Sequence, residues 1–203
     1  MSIHRESILE ELGVAVGYPS NGYRSTLADC ERHLKEVDSE AACALAVFRG
    51  AIAGLDEWEL QELYTRTFDL NPVCTLEVGW HLYGEQYRRG RFLVKTRDLL
   101  SKVGIEEKGE LPDHLMSLLP ALARLDPDEA AVLAGSCLAP AVQKMLAGLE
   151  GKDNPYEQVL RAVQLTLGPS TVEPDQFAQL PDQQELVQIG HPQASSIHKG
   201  TVS

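Results

Sequence analysis

Apolar residues recur along this chain at intervals of three and four, the period of a helix with one buried face. Ile8, Leu9, Leu12 and Val16 form the first stripe, which Gly17 and the Tyr18-Pro19 turn should end. Leu27, Cys30, Leu34 and Val37 predict a second helix, with Glu31, Arg32, Lys35 and Glu36 on its polar face. Ala41–Ala53 is small and apolar nearly all round, the pattern of a central, tightly packed helix, with Ser39 as its expected N-cap. Asp56 should cap a helix carrying Leu60, Leu63, Tyr64, Thr67 and Phe68, which Asp69, Asn71 and Pro72 then stop. Leu76, Trp80 and Tyr83 predict a short helix interrupted at Gly84, and Phe92, Leu93, Leu99 and Leu100 a longer one.

After a charged loop, Gly104–Glu110, the triplet Leu111-Pro112-Asp113 is expected to open the next helix, with Pro112 near its first turn. Its stripe is Leu111, Leu115, Leu118, Leu119, Leu122 and Leu125. Asp126 or Asp128 should cap a helix bearing Val132, Leu133 and Cys137, kinked or broken near Leu138 to Pro140 and resumed with Val142, Met145, Leu146 and Leu149. A turn follows at Gly151–Pro155, with Asp153 or Asn154 as cap, and the last helix is Tyr156–Leu167. No stretch reads as a strand. The pattern predicts an all-α, single-domain bundle of about eight or nine helices over residues 1–168. From residue 169 to 203 the composition shifts to Pro, Gln, Ser and Asp, which cannot bury enough surface to offset the entropy of ordering; a flexible tail is expected there.

Composition narrows the class. With 203 residues, 43% of them hydrophobic, the chain can build one substantial core. No apolar run approaches the roughly 20 residues that cross a bilayer, so no direct membrane insertion is expected. The N-terminal MSIHRESILEEL has charges where a secretory signal needs its apolar region, which favours a cytoplasmic protein. Cys30, Cys43, Cys74 and Cys137 are widely spaced and contain no Cys-x-x-Cys pair, so buried reduced thiols are expected rather than a zinc or redox site. A net charge of −12 argues against nucleic acid as a partner and suits basic peptides.

Candidate chemistry is sparse. His81 and Glu85 are four apart on one predicted helix, a metal-ligand spacing, but a third ligand such as His114 or Asp113 would have to arrive through the fold. Asp69, Glu85 and Asp113 make a possible carboxylate group, although Asp69 follows a helix end and Asp113 lies in a first turn, where carboxylates serve caps and dipoles. There is no phosphate-binding glycine loop and no nucleophile elbow. The residues therefore predict no metal, no cofactor and no enzymatic chemistry. Arg88, Arg89 and Arg91 form a basic group in an acidic chain, and Gly90, mid-helix at a cost of about 1 kcal/mol against Ala, is expected at a close helix contact. Tyr64, Trp80 and Tyr83 suit a core, and as polar-tipped aromatics at helix ends they also suit a peptide groove.

Three motifs then point to a family. Tyr64, Phe68 and Asp69 close one helix; His81, Tyr83, Gly84, Glu85, Arg89 and Gly90 follow; Glu110 to Leu115 reads Glu-Leu-Pro-Asp-His-Leu. In this order and spacing they resemble the NarJ/TorD class of redox-enzyme maturation chaperones, closest to the NarJ branch, which assists assembly of respiratory nitrate reductases. The compatible helical pattern covers roughly residues 5–167.

The resemblance implies a cytoplasmic chaperone that binds the apo catalytic subunit of a molybdoenzyme, through the subunit's N-terminal peptide, and assists insertion of its molybdenum cofactor. It also implies client contacts at Tyr64, Trp80, His81, Tyr83, Glu85, His114 and Leu115, with Phe68, Asp69, Gly84, Arg89, Gly90, Pro112 and Asp113 as structural positions. Arg89 would pair with Asp69 or Asp113. The segment Cys74–Trp80 departs from the NarJ pattern, which leaves room for another client of the dimethyl sulfoxide reductase superfamily. The alternatives are a small helical enzyme or metal-binding protein built on His81, Glu85 and His114, and a helical adaptor without a redox client.

Overall fold

The structure is a computed structural model that describes residues 3–107 and 109–169, together with Phe177. The elements are α1 (Ile3–Ala15), α2 (Tyr23–Val37), α3 (Ser39–Ile52), α4 (Glu57–Tyr64), α5 (Val78–Tyr83), α6 (Tyr87–Lys102), α7 (Leu115–Arg124), α8 (Pro127–Leu133), α9 (Ala139–Leu149) and α10 (Tyr156–Leu167). α8 and α9 are halves of one continuous helix, Pro127–Leu149, which makes nine helices among the described residues. Those residues contain no strand; one isolated antiparallel bridge joins Glu77 to His114. The expected all-α, single-domain bundle is what forms.

α1 packs on α2 and α7, α3 lies between α2 and α10, and α9 runs beside α10 and α5. One core fills the space between them, and its centre is aromatic. Tyr156 meets Phe48 and Phe68 with ring centroids 4.9 Å apart, and Tyr64 stacks on Phe68 at 5.1 Å. The favoured tilted and edge-on geometries recur through this cluster.

Helix starts follow local chemistry where the sequence supplies it. Asp56 and Glu59 form a reciprocal capping box, each side chain bonded to the other's backbone N–H at 2.8 Å. Asp126 caps α8, with Pro127 in its first turn, where a missing N–H costs nothing. The cap of α3 is Asp38, not the expected Ser39: its carboxylate accepts from the N–H groups of Glu40 and Ala41. A carboxylate at a helix start also gains from the macrodipole, which the Ser39 hydroxyl could not.

Two π-turns adjust the bundle. Thr65–Asp69 ends α4 with a wide turn that keeps Thr67 and Phe68 buried together, and Asn154 locks it by donating to Thr67 Oγ1 at 2.7 Å. Ala134–Leu138 is the second, placed where the kink before Pro140 was expected. The wider turn accommodates the proline ring, so the helix continues instead of breaking. By length and composition Pro127–Leu149 could cross a membrane, which the sequence pattern had not suggested because Pro140 and polar residues interrupt the apolar run. In the bundle 61% of its apolar window is buried, so most of that surface is spent on packing against its neighbours.

The expected start of α7 at Leu111–Asp113 is displaced to Leu115, with His114 as N-cap. Pro112 is buried but precedes the helix. The segment forms a turn instead, closed by His114 N–H donating to Leu111 O at 3.0 Å, and its backbone is used elsewhere: Asp113 O accepts from Val78 N–H at 3.0 Å, and Leu76 O from Leu115 N–H at 2.9 Å. Three cysteines are buried, with burial pushing the thiols of Cys74 and Cys137 up to about 12. Cys43, by contrast, is exposed on α3. The tail predicted for 169–203 lies outside the described residues except for its first residue and Phe177.

Candidate functional site

The motif residues build a knot between α5, α6 and the segment before α7. Asp113 is fully buried, and its Oδ2 accepts from Gly79 N–H at 2.8 Å, so this carboxylate caps α5 from a distant part of the chain. Gly79 has no alternative residue there: a Cβ would sit 2.7 Å from Asp113 Oδ2 and 2.8 Å from Phe92 Cδ1. Burial, ahead of other influences, pushes the Asp113 carboxyl above its ordinary range, while the Gly79 N–H and the Arg89 charge pull it back. Gly84 ends α5 at φ 56°, ψ −134°, a conformation that essentially only glycine adopts.

The ion pair implied for Arg89 does not form. Asp69 is exposed, and Asp113 Oδ1 and Arg89 Nε are buried without hydrogen-bond partners among the described residues. The Arg89 guanidinium instead lies over the Trp80 ring, 5.3 Å from its centroid, a cation–π contact. Gly90 differs from expectation too: it is exposed, and nothing lies within 4 Å of a Cβ built there. Gly90→Ala should therefore raise stability by about 0.5–1 kcal/mol, measurable by urea unfolding, because the methyl only restricts the unfolded chain and favours the helix.

Of the seven proposed client contacts, Tyr64, Tyr83, His114 and Leu115 are core residues, with at most 8% exposure. They hold the surface up from behind and do not line it. The leucine stripe of α7 faces inward in the same way: Leu115, Leu118, Leu119 and Leu122 are buried. His114 Nδ1 accepts from Met116 N–H at 3.3 Å as the α7 cap, and burial lowers its pKa to about 4. His81 is half-buried and donates to Thr75 O at 2.6 Å; burial is the main cause that lowers its pKa. Trp80 is half-buried and Glu85 exposed. His81, Glu85 and His114 thus have separate roles, and among the described residues no three His, Cys, Asp or Glu side chains gather as a metal site requires.

A concave surface lies elsewhere, between α1 and α7. It is a groove of about 670 Å³ with apolar walls from Val14, Tyr18, Ile105, Met116 and Pro120, and with Glu10 and Glu106 on its edge. Small residues let the two helices approach: a Cβ on Gly13 would lie 2.9 Å from both Met116 O and Pro120 Cδ. Tyr18, half-exposed, stands edge-on to the buried Tyr64 at 5.3 Å, so the central aromatic cluster reaches the groove through Tyr64. Arg124 bonds Glu10 at 3.0 Å across the crossing, which leaves Glu106 as the uncompensated rim acid. The apolar-stripe reading missed this site, since it selects inward faces. The four-residue spacing of Gly13 and Gly17, opposite a helix containing Pro120, is the signal that marks a close crossing.

The described residues thus form an all-α bundle with an open groove between α1 and α7, and with Asp113 and His114 occupied as helix caps. The chain belongs to the nitrate reductase delta subunit family, the NarJ-type maturation chaperones, whose family model matches residues 34–161, more than half of its length. No individually curated protein matches it. The matched span includes the knot and the α7 wall of the groove; the α1 wall lies outside it.

Proposed function

We propose that this protein is a cytoplasmic chaperone in the assembly of a nitrate reductase, acting without bond chemistry. It would take the basic, amphipathic N-terminal segment of the apo catalytic subunit as a helix into the α1–α7 groove. The subunit would thereby be held open for insertion of its molybdenum cofactor before it joins its partner subunits. Family membership supports the assembly role; the observation that carries the binding mode is the groove itself, with Val14, Tyr18, Ile105 and Met116 among its lining and Glu106 on its edge. We assign this binding to the helical domain, residues 1–168, with 169–203 as a separate tail. The candidate contacts shift accordingly, from the buried Tyr64 to the Tyr18 it supports.

Three apolar anchors at about 1.5–3 kcal/mol each supply roughly 5–9 kcal/mol. Ordering the peptide removes about 2–5 kcal/mol, and lost translation and rotation remove more. The net is a weak complex, micromolar at its tightest, about −8 kcal/mol. Added salt weakens such binding only modestly. Val14 and Tyr18 are 42% and 50% exposed, so Val14→Asp and Tyr18→Ser should leave the melting temperature within a few degrees. Calorimetry with the client's N-terminal peptide should show each variant binding at least about tenfold more weakly, as loss of one anchor requires. A peptide with its leucines replaced by serine should not bind. Undiminished binding by both variants would remove the groove from the mechanism.

A further inference from the structure

Phe177 stands apart from the helical domain in sequence, yet its ring is 3% exposed and packs edge-on against Phe92 at 5.5 Å. Phe92 in turn stacks with Tyr83 at 5.6 Å, so the pocket is aromatic to its floor. Lys95 Nζ reaches Phe177 O at 3.5 Å, a long hydrogen bond to the backbone of the incoming segment. On α6 the positions 88, 91, 92 and 95 share one face, which places Arg88, Arg91 and Lys95 alongside Phe92. This is a basic rim on a chain of net charge −12.

The sequence around Phe177 complements that rim. Thr171 to Gln183 reads TVEPDQFAQLPDQ, carrying Glu173, Asp175 and Asp182 and no Lys or Arg. An aromatic pocket with three cations along its α6 side holds a phenylalanine whose neighbours in sequence are anions. We propose that the Phe92 pocket of α6 is a peptide-binding site for an acidic, phenylalanine-bearing segment, kept occupied by this chain's own C-terminal extension. A segment of the same chemistry from another polypeptide would compete for it. The site is separate from the α1–α7 groove, takes the opposite charge, and stands whether or not that groove seats the client.

The cis occupant sets the size of the effect. A tethered segment presents itself at an effective concentration of roughly millimolar. If the free segment binds with Kd near about 100 μM, occupancy in cis weakens apparent binding in trans about tenfold. The test uses the full chain and a fluorescein-labelled peptide of residues 171–183, followed by anisotropy. Wild-type protein should bind the peptide at least about fivefold more weakly than Phe177→Ser, in which the pocket is vacated. The peptide carrying Phe177→Ser should not bind, and Arg91→Glu, made in the vacated background at an exposed position, should weaken binding several-fold. Raising salt should weaken binding further. Should Phe177→Ser fail to fold, Phe177→Leu keeps an apolar group in the pocket and should show a smaller gain over wild type. Equal binding to wild type and to the folded variant, or equal binding of the two peptides, would overturn the proposal.

Discussion

Gly79→Ala should lower unfolding stability by about 2–3 kcal/mol, as overpacking in a closed site does, and should lower the melting temperature by several degrees. The methyl has nowhere to go, with Asp113 Oδ2 at 2.7 Å and Phe92 Cδ1 at 2.8 Å from its position. Moving the carboxylate breaks its bond to the Gly79 N–H at the start of α5, and moving the ring loosens the α5–α6 contact. The two costs are coupled through Asp113. Asp113→Ala alone removes that cap acceptor, while in combination it also makes room for the methyl, so the double variant should be less damaged than the sum of the singles. Urea unfolding of the four proteins gives the cycle, and strict additivity would show that the methyl is accommodated without Asp113. The contrast with Gly90, whose methyl meets open solvent, isolates packing from backbone entropy.

Acidification from pH 7 to pH 5 should remove about 2 kcal/mol of stability through His114 alone. Its folded pKa is near 4, because burial penalises the imidazolium, against an ordinary 6.5 in the unfolded chain. Between those values the unfolded state binds the extra proton. Stability is therefore full above pH 6.5 and falls as pH drops toward 4. Protonation also removes the lone pair on Nδ1 that caps α7. His81, lowered for the same first reason, acts in the same direction. Asp113, raised in the fold, acts oppositely, since its folded form takes up a proton before the unfolded chain does. His114→Asn keeps an acceptor for Met116 N–H and removes the titration. Denaturation midpoints at the two pH values should converge in that variant, and an unchanged difference would exclude His114 as the source.

The helices were legible because their apolar periodicity is strong and their punctuation local: Asp56, Asp126 and the Tyr156–Leu167 span read directly. The start of α7 was not, because Pro112 and Asp113 look like a first turn, while the carboxylate is consumed by Gly79 from another helix. Side-chain pattern gives no sign of such a tertiary cap. The motif aromatics were ambiguous for a related reason. Tyr64 and Tyr83 carry polar tips that suit a surface, and their burial is decided by Phe68, Tyr156 and Phe92 arriving through the fold. The groove was least legible, since it belongs to the crossing of two helices far apart in sequence.

That crossing has a consequence for biosynthesis. α1 leaves the ribosome well before α7, and α2 follows α1 soon enough to cover part of it. The surface of Gly13 and Gly17 that meets Met116 and Pro120 must wait for residue 124 to emerge. At about 5–20 residues per second that interval is roughly 5–20 s. During it the nascent chain has half a groove and an uncovered glycine seam. The seam closes only once α7 has emerged, which makes α7 the deciding step.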